Sequence, residues 1–306
     1  MKILITGGAG YIGTPLVDLL CANPLVEKII VYDNLSRSNY NLFIGAKNEG
    51  HQKLTFVRGE LLDSRKLMRA LKGIDIVYHL AARVTTPFAN SDAHLFDQIN
   101  HWGTAELAYL LEESSVNKLI YTSSAGVYGS STEPVDESVE PDPKSFYGIS
   151  KLRAEEHLRR LSDKMQVYIF RCANVYGYNR SMRFDAVINK FMFEANFEKR
   201  ITIHGNGDQS RSFIHADKIA KALANLPTSD LTKGTYNLVD KTYKVMDIVD
   251  EFKQLIPELE FILINQYLSL SNLNIKRNDE VNSKLGIAYE TSLKDDLSEF
   301  LNRLRF

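Results

Sequence analysis

The sequence predicts an α/β fold in which a doubly wound parallel sheet is followed by a smaller α/β lobe. Short apolar runs alternate with segments of helix length through the first part of the chain, which is typical of repeated strand–helix–strand units. The runs are apolar throughout rather than at every second position, so we expect strands covered by helices on both faces. A glycine-rich loop follows the first run and leads into a helix, as in folds that hold a phosphate at a helix N-terminus.

The elements follow in order along the chain. The predicted strands of the first domain are Ile3–Thr6, Lys28–Tyr32, Leu54–Val57, Asp75–Leu80, Lys118–Thr122 and Val167–Phe170. Its two longest predicted helices run from about Ser91 to Glu113 and from about Tyr147 to Leu161. We therefore place the first domain at residues 1–173 and a smaller lobe mainly at residues 174–306, with segments such as about 212–240 able to return to the first domain. In the smaller lobe, Asn174–Phe184 reads as a loop and Asp185–Asn196 as a helix.

Composition excludes several classes of protein. With 306 residues, 44% of them apolar and 25% charged, the chain can bury a large core. A net charge of −1 argues against a nucleic-acid partner. Cys21 and Cys172 lack metal or disulfide spacing and are expected to be small buried hydrophobes, and no metal site is predicted. The N-terminus does not resemble a signal peptide and no apolar run approaches membrane-spanning length, so we expect a cytoplasmic protein without a membrane partner.

The glycine loop predicts a dinucleotide site. Gly8, Gly10 and Gly13 have the spacing G-x-G-x-x-G, and Gly7, Gly10 and Gly13 form a second glycine pattern. Such glycines permit a tight turn and let the backbone approach a pyrophosphate. The second strand ends at Asp33, about 20 residues beyond the loop, where a carboxylate can accept hydrogen bonds from an adenosine ribose. Because this carboxylate repels a 2′-phosphate, the prediction is a Rossmann-like domain that binds NAD rather than NADP.

Three side chains predict proton-transfer chemistry at the ends of later units. Tyr147 and Lys151 lie one helical turn apart and therefore share a helix face. A lysine ammonium beside a phenol favours the phenolate, so we expect the pKa of Tyr147 to fall from about 10 towards neutral pH. Ser124 follows the fifth strand and can hold a hydroxyl or keto oxygen of a substrate. Tyr-x-x-x-Lys alone also fits an ordinary surface pair, and the glycine loop favours the catalytic interpretation.

Together these features resemble the extended short-chain dehydrogenase/reductase family, in particular its nucleotide-sugar epimerases. The resemblance covers nearly the whole chain. The segments that carry it are Thr6–Gly13, Asp33–Ser36, His79–Ala82, Asn100 with Gly103–Thr104, Ser123–Gly129, Tyr147–Lys151, Arg171–Gly177 and His204–Ala220.

The resemblance implies a role for each matching residue. Ser124, Tyr147 and Lys151 would form the catalytic triad, with Lys151 also bonding the nicotinamide ribose. Ser124, Asn174 and Arg211 would bind a nucleotide-diphosphate sugar. Contacts with NAD would come from Gly7, Gly10, Tyr11, Ile12, Gly13, Asp33, Asn34, Ser36, Glu60, Leu61, Leu80, Ala81, Ala82, Asn100, Tyr147 and Lys151.

Two positions depart from the family pattern. Glu60 stands where the family usually has an aspartate near the adenine, and its longer side chain is still assigned to the cofactor. Ala125 and Gly126 follow Ser124 where dehydratases of the family carry an acidic pair. Dehydration is therefore disfavoured.

The expected activity is NAD-dependent epimerisation of a nucleotide-diphosphate sugar at C4 through a 4-keto intermediate. Alternatives are a 4-dehydrogenase or 4-keto reductase with net redox change, and a non-catalytic dinucleotide sensor. The sequence leaves open whether the nucleotide is UDP, GDP or dTDP, and which sugar it carries. The resemblance also implies a homodimer that pairs through the two longest helices.

Several other residues have two interpretations at this stage. His79 is expected to be packed inside a strand end rather than bound to metal. Tyr176 and Tyr178 fit either stacking on a base or plain packing. Arg37, Arg180 and Arg183 fit either anion binding or solvated surface charge, with Arg37 expected to be solvated.

Overall fold

The computed structural model describes residues 1–44, 50–84, 93–264 and 272–304. Its strands are β1 (Lys2–Thr6), β2 (Lys28–Asp33), β3 (Leu54–Arg58), β4 (Ile76–His79), β5 (Lys118–Ser124), β6 (Gln166–Cys172), β7 (Asn174–Tyr176), β8 (Arg200–His204), β9 (Ser210–His215), β10 (Gly234–Leu238), β11 (Lys241–Lys244) and β12 (Glu260–Ile264). Its α-helices are α1 (Gly13–Ala22), α2 (Ser64–Ala70), α3 (Ala93–Phe96), α4 (Gly103–Glu112), α5 (Phe146–Arg159), α6 (Val187–Phe193), α7 (Ala216–Asn225), α8 (Val245–Leu255), α9 (Asp279–Lys284) and α10 (Leu293–Arg303).

Seven parallel strands form the central sheet in the order β3-β2-β1-β4-β5-β6-β10. The order reverses between β1 and β4, and in such sheets a ligand binds at the carboxyl ends of the strands where the order reverses. The loops after β1 and β4 meet at this point. The predicted doubly wound parallel sheet is confirmed, and the predicted strands before residue 174 all form, most of them within two residues of the expected ends.

Both faces of the sheet are buried because successive side chains of each strand point to opposite sides. Ile3 and Ile5 contribute to a core with residues of α1 and α7. Leu4, between them, contributes to the core on the other face with residues of α4 and α5. All three side chains are fully buried, which explains why the strands read as continuous apolar runs.

The smaller lobe has its own core and two small sheets. Strands β7, β9 and β11 form one sheet, while β8 pairs with β12. Phe213, Phe252 and Phe300 belong to the buried cluster that joins β9, α8 and α10. The lobe is not a continuous stretch of chain, because β10 adds to the central sheet beside β6. The segment expected to be a loop after Asn174 begins instead with β7, which pairs with β9.

The first long predicted helix is interrupted. Asp97–Trp102 forms a π-helical turn between α3 and α4. The expected start near Ser91 lies outside the described residues. Such turns insert a residue into the helical repeat and re-aim the side chains near them, and they are frequent at functional sites. This turn directs Asn100 into the interior, where it is 1% exposed.

Among the described helices, none is both long enough and apolar enough to cross a membrane. The part of the chain that the structure describes also holds no group of three or more His, Cys, Asp or Glu side chains that could bind a metal ion. Cys21 and Cys172 are free and buried, as expected.

A buried ion pair joins α5 to the central sheet. The Arg171 guanidinium on β6 donates to both carboxylate oxygens of Glu155 on α5, with its Nη2 2.8 Å from Oε2. The hydroxyl of Ser123 on β5 donates to the same carboxylate at 2.5 Å. Arg159 reaches it from the solvent side at 2.6 Å. The carboxylate therefore links α5 to β5 and β6. These contacts adjoin the predicted triad, because Ser123 precedes Ser124 and Glu155 lies four residues after Lys151.

Two arginines that share one carboxylate provide a matched test of this connection. In Arg171→Met the fully buried Glu155 loses its buried cation, and we expect the free energy of unfolding to fall by about 3–5 kcal/mol. In Arg159→Met the lost partner is 44% exposed, and we expect a fall of only about 0–1 kcal/mol. Urea unfolding of both variants measures the difference, and equal losses would contradict the assignment.

Candidate active site

The glycine loop packs directly on the backbone that follows β4. Gly7 has φ +73°, a conformation that favours glycine, and a Cβ built on it would lie 2.6 Å from the backbone N of Ala81. A Cβ at Gly13 would lie 2.6 Å from the carbonyl oxygen of Gly7. Leu80 donates its N–H to the Thr6 carbonyl at 3.0 Å and so continues the pairing of β1 with β4. Leu80, Ala81 and Ala82 are therefore brought against the loop.

The N-terminus of α1 is suited to hold a pyrophosphate. Its cap residue Ile12 makes no side-chain capping bond, and the first turn carries no acidic residue. A Cβ at Gly10 would meet one nearby atom, the carbonyl oxygen of Gly7 at 3.2 Å, so this glycine faces an open side of the loop. Backbone N–H groups at a helix N-terminus attract phosphate oxygens. The residues present thus fit the diphosphate of a dinucleotide.

Asp33, the predicted ribose-binding residue, also holds the glycine loop in place. Its carboxylate accepts the N–H of Ala9 at 3.0 Å and the N–H of Leu35 at 2.8 Å. Burial raises the pKa of Asp33, and these two hydrogen bonds act in the opposite direction. A carboxylate can accept about four hydrogen bonds, so acceptor positions remain for ribose hydroxyls.

The remaining predicted adenosine contacts lie on neighbouring loops. The Asn34 side chain donates to the Glu60 carboxylate at 2.9 Å and accepts the N–H of Ser36 at 2.9 Å. Glu60 and Ser36 are exposed, whereas Leu61 is 8% exposed and packs against Gly103. The structure thus groups Asn34, Ser36 and Glu60 beside Asp33.

Asn100 links three parts of the site. Its Oδ1 accepts the backbone N–H of Arg83 at 2.7 Å, and its Nδ2 donates to the Arg83 carbonyl at 3.0 Å. The same Nδ2 lies 3.0 Å from the Ser150 hydroxyl on α5. Asn100 therefore fixes the chain after β4 relative to the helix that carries Tyr147 and Lys151.

His79 anchors the carboxyl end of β4 through a chain of hydrogen bonds. The Thr104 hydroxyl donates to the Asn100 carbonyl at 2.6 Å, so it must accept from His79 Nε2 at 2.8 Å. His79 Nδ1 consequently accepts from the Thr6 hydroxyl at 2.7 Å. Burial, aided by Lys151, lowers the pKa of His79 to about 3, so the ring is neutral at physiological pH. His79 is packed, as expected, and it also connects β1 to α4.

Close packing brings the helix of Tyr147 onto the turn of Ser124. Ser124 ends β5, and its hydroxyl accepts the N–H of Gly126 at 3.1 Å. A Cβ at Gly148 would lie 2.5 Å from the Gly126 carbonyl oxygen, so only a glycine permits this approach. Ser145 caps α5 by accepting the Gly148 N–H at 3.1 Å, which places Tyr147 in the first turn. Ser124, Tyr147 and Lys151 are thereby gathered at the carboxyl end of the sheet.

The electrostatics of the pair differ from the prediction. The expected lowering of the Tyr147 pKa by Lys151 is wrong: burial raises the pKa of Tyr147, and the opposing influences are the charge of Arg183 and the Ser124 hydroxyl. Lys151 is 2% exposed, and burial lowers its pKa to about 7. Its Nζ donates to the Thr122 carbonyl at 2.6 Å and lies 4.1 Å from the centre of the Tyr121 ring. Helical spacing alone did not reveal that the lysine is held by β5 and is incompletely charged at neutral pH.

Two of the three predicted substrate residues, Asn174 and Arg211, lie on adjacent strands of the smaller lobe. Asn174 on β7 is exposed and donates to the Ser212 carbonyl on β9 at 3.0 Å. Arg211, one residue earlier on β9, is partly buried, and burial lowers its pKa. Within the described residues no carboxylate forms an ion pair with Arg211. A guanidinium in this state is suited to an anionic ligand.

The structure gives specific contacts to the arginines and tyrosines for which the sequence left two interpretations. Arg180 pairs with Asp18, with Nη2 2.7 Å from both carboxylate oxygens, and Arg183 pairs with Asp185. Arg37 is exposed, as expected, and its guanidinium lies 3.4 Å from the same Asp185.

Tyr176 is 2% exposed and its hydroxyl donates to Asp296 at 2.5 Å, so it packs in the lobe core rather than facing a base. Tyr178 packs against Phe300 and Arg303.

Sequence reasoning missed several residues that build the site. Thr6 and Thr104 position His79, and Asn189 joins the glycine loop to the smaller lobe. Asn189 sits among apolar residues on α6, and a polar residue at a buried helical position is the one signal that pointed to it. Its partners are distant in sequence, so the signal did not identify them.

The sheet order and the glycine loop define a dinucleotide-binding protein, and comparison with known proteins narrows this class. The model of the NAD dependent epimerase/dehydratase family matches residues 3–238. A dTDP-D-glucose 4,6-dehydratase of Mus musculus is 31% identical over 267 residues, which cover 84% of this chain and 73% of that protein. A putative UDP-glucose 4-epimerase of Methanocaldococcus jannaschii is 31% identical over 226 residues, covering 72% and 71%.

A solved structure has the same fold over the whole chain. It is a UDP-glucuronic acid 4-epimerase of Bacillus cereus in complex with UDP-glucuronic acid and NAD, with a TM-score of 0.86, 23% identity and complete coverage of both chains. This chain therefore belongs to the NAD-dependent epimerase/dehydratase family. The resemblance drawn from the sequence motifs is confirmed, as is NAD as the cofactor of the family.

The neutral state of His79 gives a pH prediction. Its pKa in the folded protein, about 3, lies below the ordinary value of 6.5, so the unfolded chain takes up the proton first as pH falls. The stability that His79 contributes is complete above pH 6.5 and is lost as pH falls from 6.5 towards 3. Heteronuclear NMR of the ring nitrogens should show the neutral Nε2–H tautomer unchanged between pH 8 and about pH 4.5. A titration midpoint near that of a histidine peptide would contradict the chain of hydrogen bonds.

Proposed function

We propose that this protein is an NAD-dependent epimerase that inverts nucleotide-diphosphate sugars at C4. The observation that carries the proposal is the packing of Gly148 on Gly126, which gathers Ser124, Tyr147 and Lys151 next to the glycine loop. The family match and the relatives named as 4-epimerases support the same activity.

The cofactor is assigned to residues whose geometry fits it. The glycine loop and the start of α1 hold the pyrophosphate, with Gly7, Gly10, Tyr11, Ile12 and Gly13. Asp33, with Asn34, Ser36, Glu60 and Leu61 around it, faces the adenosine. Leu80, Ala81, Ala82 and Asn100 line the middle of the dinucleotide. When bound, NAD supplies a hydride acceptor that can return the hydride to the opposite face of the sugar.

Tyr147 is the general base for the C4 hydroxyl. Its phenolate accepts the hydroxyl proton, and Ser124 donates a hydrogen bond to the same oxygen as it becomes a carbonyl. Because burial raises the pKa of Tyr147, nearby positive charge must stabilise the phenolate, and Arg183 provides it. The Lys151 ammonium is held by a hydrogen bond to the Thr122 carbonyl. From this position it would also hydrogen-bond the nicotinamide ribose.

The turn after Ser124 favours epimerisation over dehydration. Elimination of water from a keto sugar needs an acid and a base near the leaving hydroxyl. Ala125 is 5% exposed and apolar, and Gly126 has no side chain, so this turn supplies neither group. The relatives named dehydratases share the fold and the family with this chain, and the two residues separate it from their chemistry.

Arg211 and Asn174 bind the diphosphate sugar. Arg211 offers a partly buried guanidinium with no competing carboxylate among the described residues, and Asn174 lies on the neighbouring strand. A phosphate gains charge-assisted hydrogen bonds from such a group. The net-redox alternative, a 4-dehydrogenase or 4-keto reductase, uses the same residues and is distinguished by whether reduced cofactor accumulates.

Removal of one hydroxyl tests the role of Tyr147. We expect Tyr147→Phe to retain bound NAD but to lose at least about 100-fold in kcat, because the general base is absent. The matched control is Tyr289→Phe, which removes a hydroxyl from a side chain that is 43% exposed between α9 and α10. Coupled assays of the isomer formed, with NAD quantified after denaturation, measure both effects. Turnover within a few-fold of wild type in Tyr147→Phe would remove this residue from its role.

We also propose a cytoplasmic homodimer. Trp102 and Tyr109 are large apolar side chains that are 55% and 62% exposed on the face of the π-helical turn and α4. Neighbouring α5 begins with Phe146, which is 45% exposed. Exposed aromatic side chains clustered on adjacent helices favour burial against another protein surface. The two free, buried cysteines accord with a reducing compartment.

A charge on this face tests the dimer. We expect sedimentation velocity of the wild-type protein to give a dimer, and Tyr109→Glu to give a monomer because a carboxylate would be buried in the contact. Leu19→Glu, at a side chain 43% exposed on α1, which packs on the opposite face of the central sheet from α4, is the control and should leave the dimer intact. A monomeric wild-type protein at micromolar concentration would refute the proposal.

A further inference from the structure

A fully buried asparagine joins the glycine loop to the segment of residues 177–183. Asn189, on α6, is 0% exposed. Its Oδ1 accepts the N–H of Gly177 at 3.0 Å, and its Nδ2 donates to the Arg183 carbonyl at 2.9 Å. The same Nδ2 lies 3.1 Å from the hydroxyl of Tyr11, in the glycine loop. One amide thus holds both ends of the segment and contacts the cofactor loop.

Tyr11 completes the connection from its side. Its hydroxyl donates to the Gly177 carbonyl at 2.5 Å, and its own carbonyl accepts from Asn179 Nδ2 at 3.1 Å. Tyr11 is 7% exposed, so water does not replace these bonds easily. Next to it, the Thr14 and Ser181 hydroxyl oxygens lie 2.7 Å apart, within hydrogen-bond distance. The start of α1 and the segment are therefore in direct polar contact over several residues.

Gly177 leaves the segment little freedom to shift. It has φ +110°, and a Cβ built on it would lie 2.2 Å from His215 Nε2. Its N–H and carbonyl are both occupied, by Asn189 and Tyr11. Its backbone is therefore fixed by three neighbours from three parts of the chain.

The segment ends at Arg183, whose positive charge influences the pKa of Tyr147, the predicted base. Burial raises the pKa of Tyr147; the positive charge of Arg183 and the hydroxyl of Ser124 oppose this rise, while the Cys172 thiol on β6 adds to it. Asp185 orients this guanidinium through bonds of 3.0 and 2.9 Å. A displacement of the segment would therefore change the charge that Tyr147 experiences.

We propose that Tyr11 and Asn189 are positioning residues that hold residues 177–183, and with them the Arg183–Asp185 ion pair, in register with the glycine loop. This inference rests on the proposed function. The glycine loop and residues 177–183 would then keep a fixed position relative to each other. The Tyr11 side chain serves this contact, whereas the backbone of the loop is assigned to the pyrophosphate.

The test is Tyr11→Phe in the holoenzyme, with Tyr78→Phe as the matched control. Tyr78 is also fully buried, and its hydroxyl donates to the Leu223 carbonyl at 3.0 Å, away from the segment. We expect both variants to keep NAD, since neither change alters the loop backbone. In Tyr11→Phe the limb of kcat/KM that reports the base should move to higher pH by at least about 0.3 unit, because Arg183 stabilises the phenolate less. Tyr78→Phe should leave the profile unchanged.

Hydrogen–deuterium exchange gives a measurement that does not depend on activity. The amide of Gly177, bonded to Asn189, should exchange at least about 3-fold faster in Tyr11→Phe and in Asn189→Ser than in wild type or Tyr78→Phe. A lower melting temperature with neither faster exchange nor a shifted profile would overturn the proposal, as would faster exchange with an unchanged profile. If the wild-type protein epimerises no nucleotide sugar, the proposed function fails, whereas the exchange comparison still decides whether Tyr11 and Asn189 hold the segment.

Discussion

The contact between the glycine loop and the backbone after β4 is the constraint on which the rest of the site depends. Gly7 approaches the Ala81 backbone so closely that no side chain fits between them. His79, the last residue of β4, fixes that strand end to β1 and α4 through two threonine hydroxyls. The cofactor crevice is thereby built from backbone and neutral hydrogen bonds, which keep their arrangement across physiological pH.

Much of this arrangement was predictable because its determinants are local. Short-range sequence patterns predicted the glycine loop, the role of Asp33 and the shared helix face of Tyr147 and Lys151. Continuous apolar runs predicted the parallel sheet. The charge state of the site was not predictable in this way. Lys151 is held by a carbonyl of β5 and burial lowers its pKa, while burial raises the pKa of Tyr147 against the opposing charge of Arg183.

Contacts between distant segments account for the rest. Asn189 and Tyr11 are in contact although they are 178 positions apart in the sequence, and no local pattern connects them. The π-helical turn that buries Asn100 interrupts what reads as one uniform helix. Reaction type also depends on such detail, because relatives named epimerases and relatives named dehydratases both match this chain at about 31% identity. Local patterns in the sequence therefore predict which residues form the site, whereas burial and long-range contacts determine how they are held.

In the proposed epimerase, hydride would leave the sugar and return to it within one bound cofactor. The most direct measurement is to quantify dinucleotide released from the denatured protein and to mix the native protein with UDP-, GDP- and dTDP-sugars while following isomers and the absorbance of reduced nicotinamide. The account predicts stoichiometric NAD, formation of a C4 epimer from one nucleotide class and no net reduced cofactor. Accumulating reduced cofactor, a requirement for added cofactor, or no turnover with any of these sugars would contradict it.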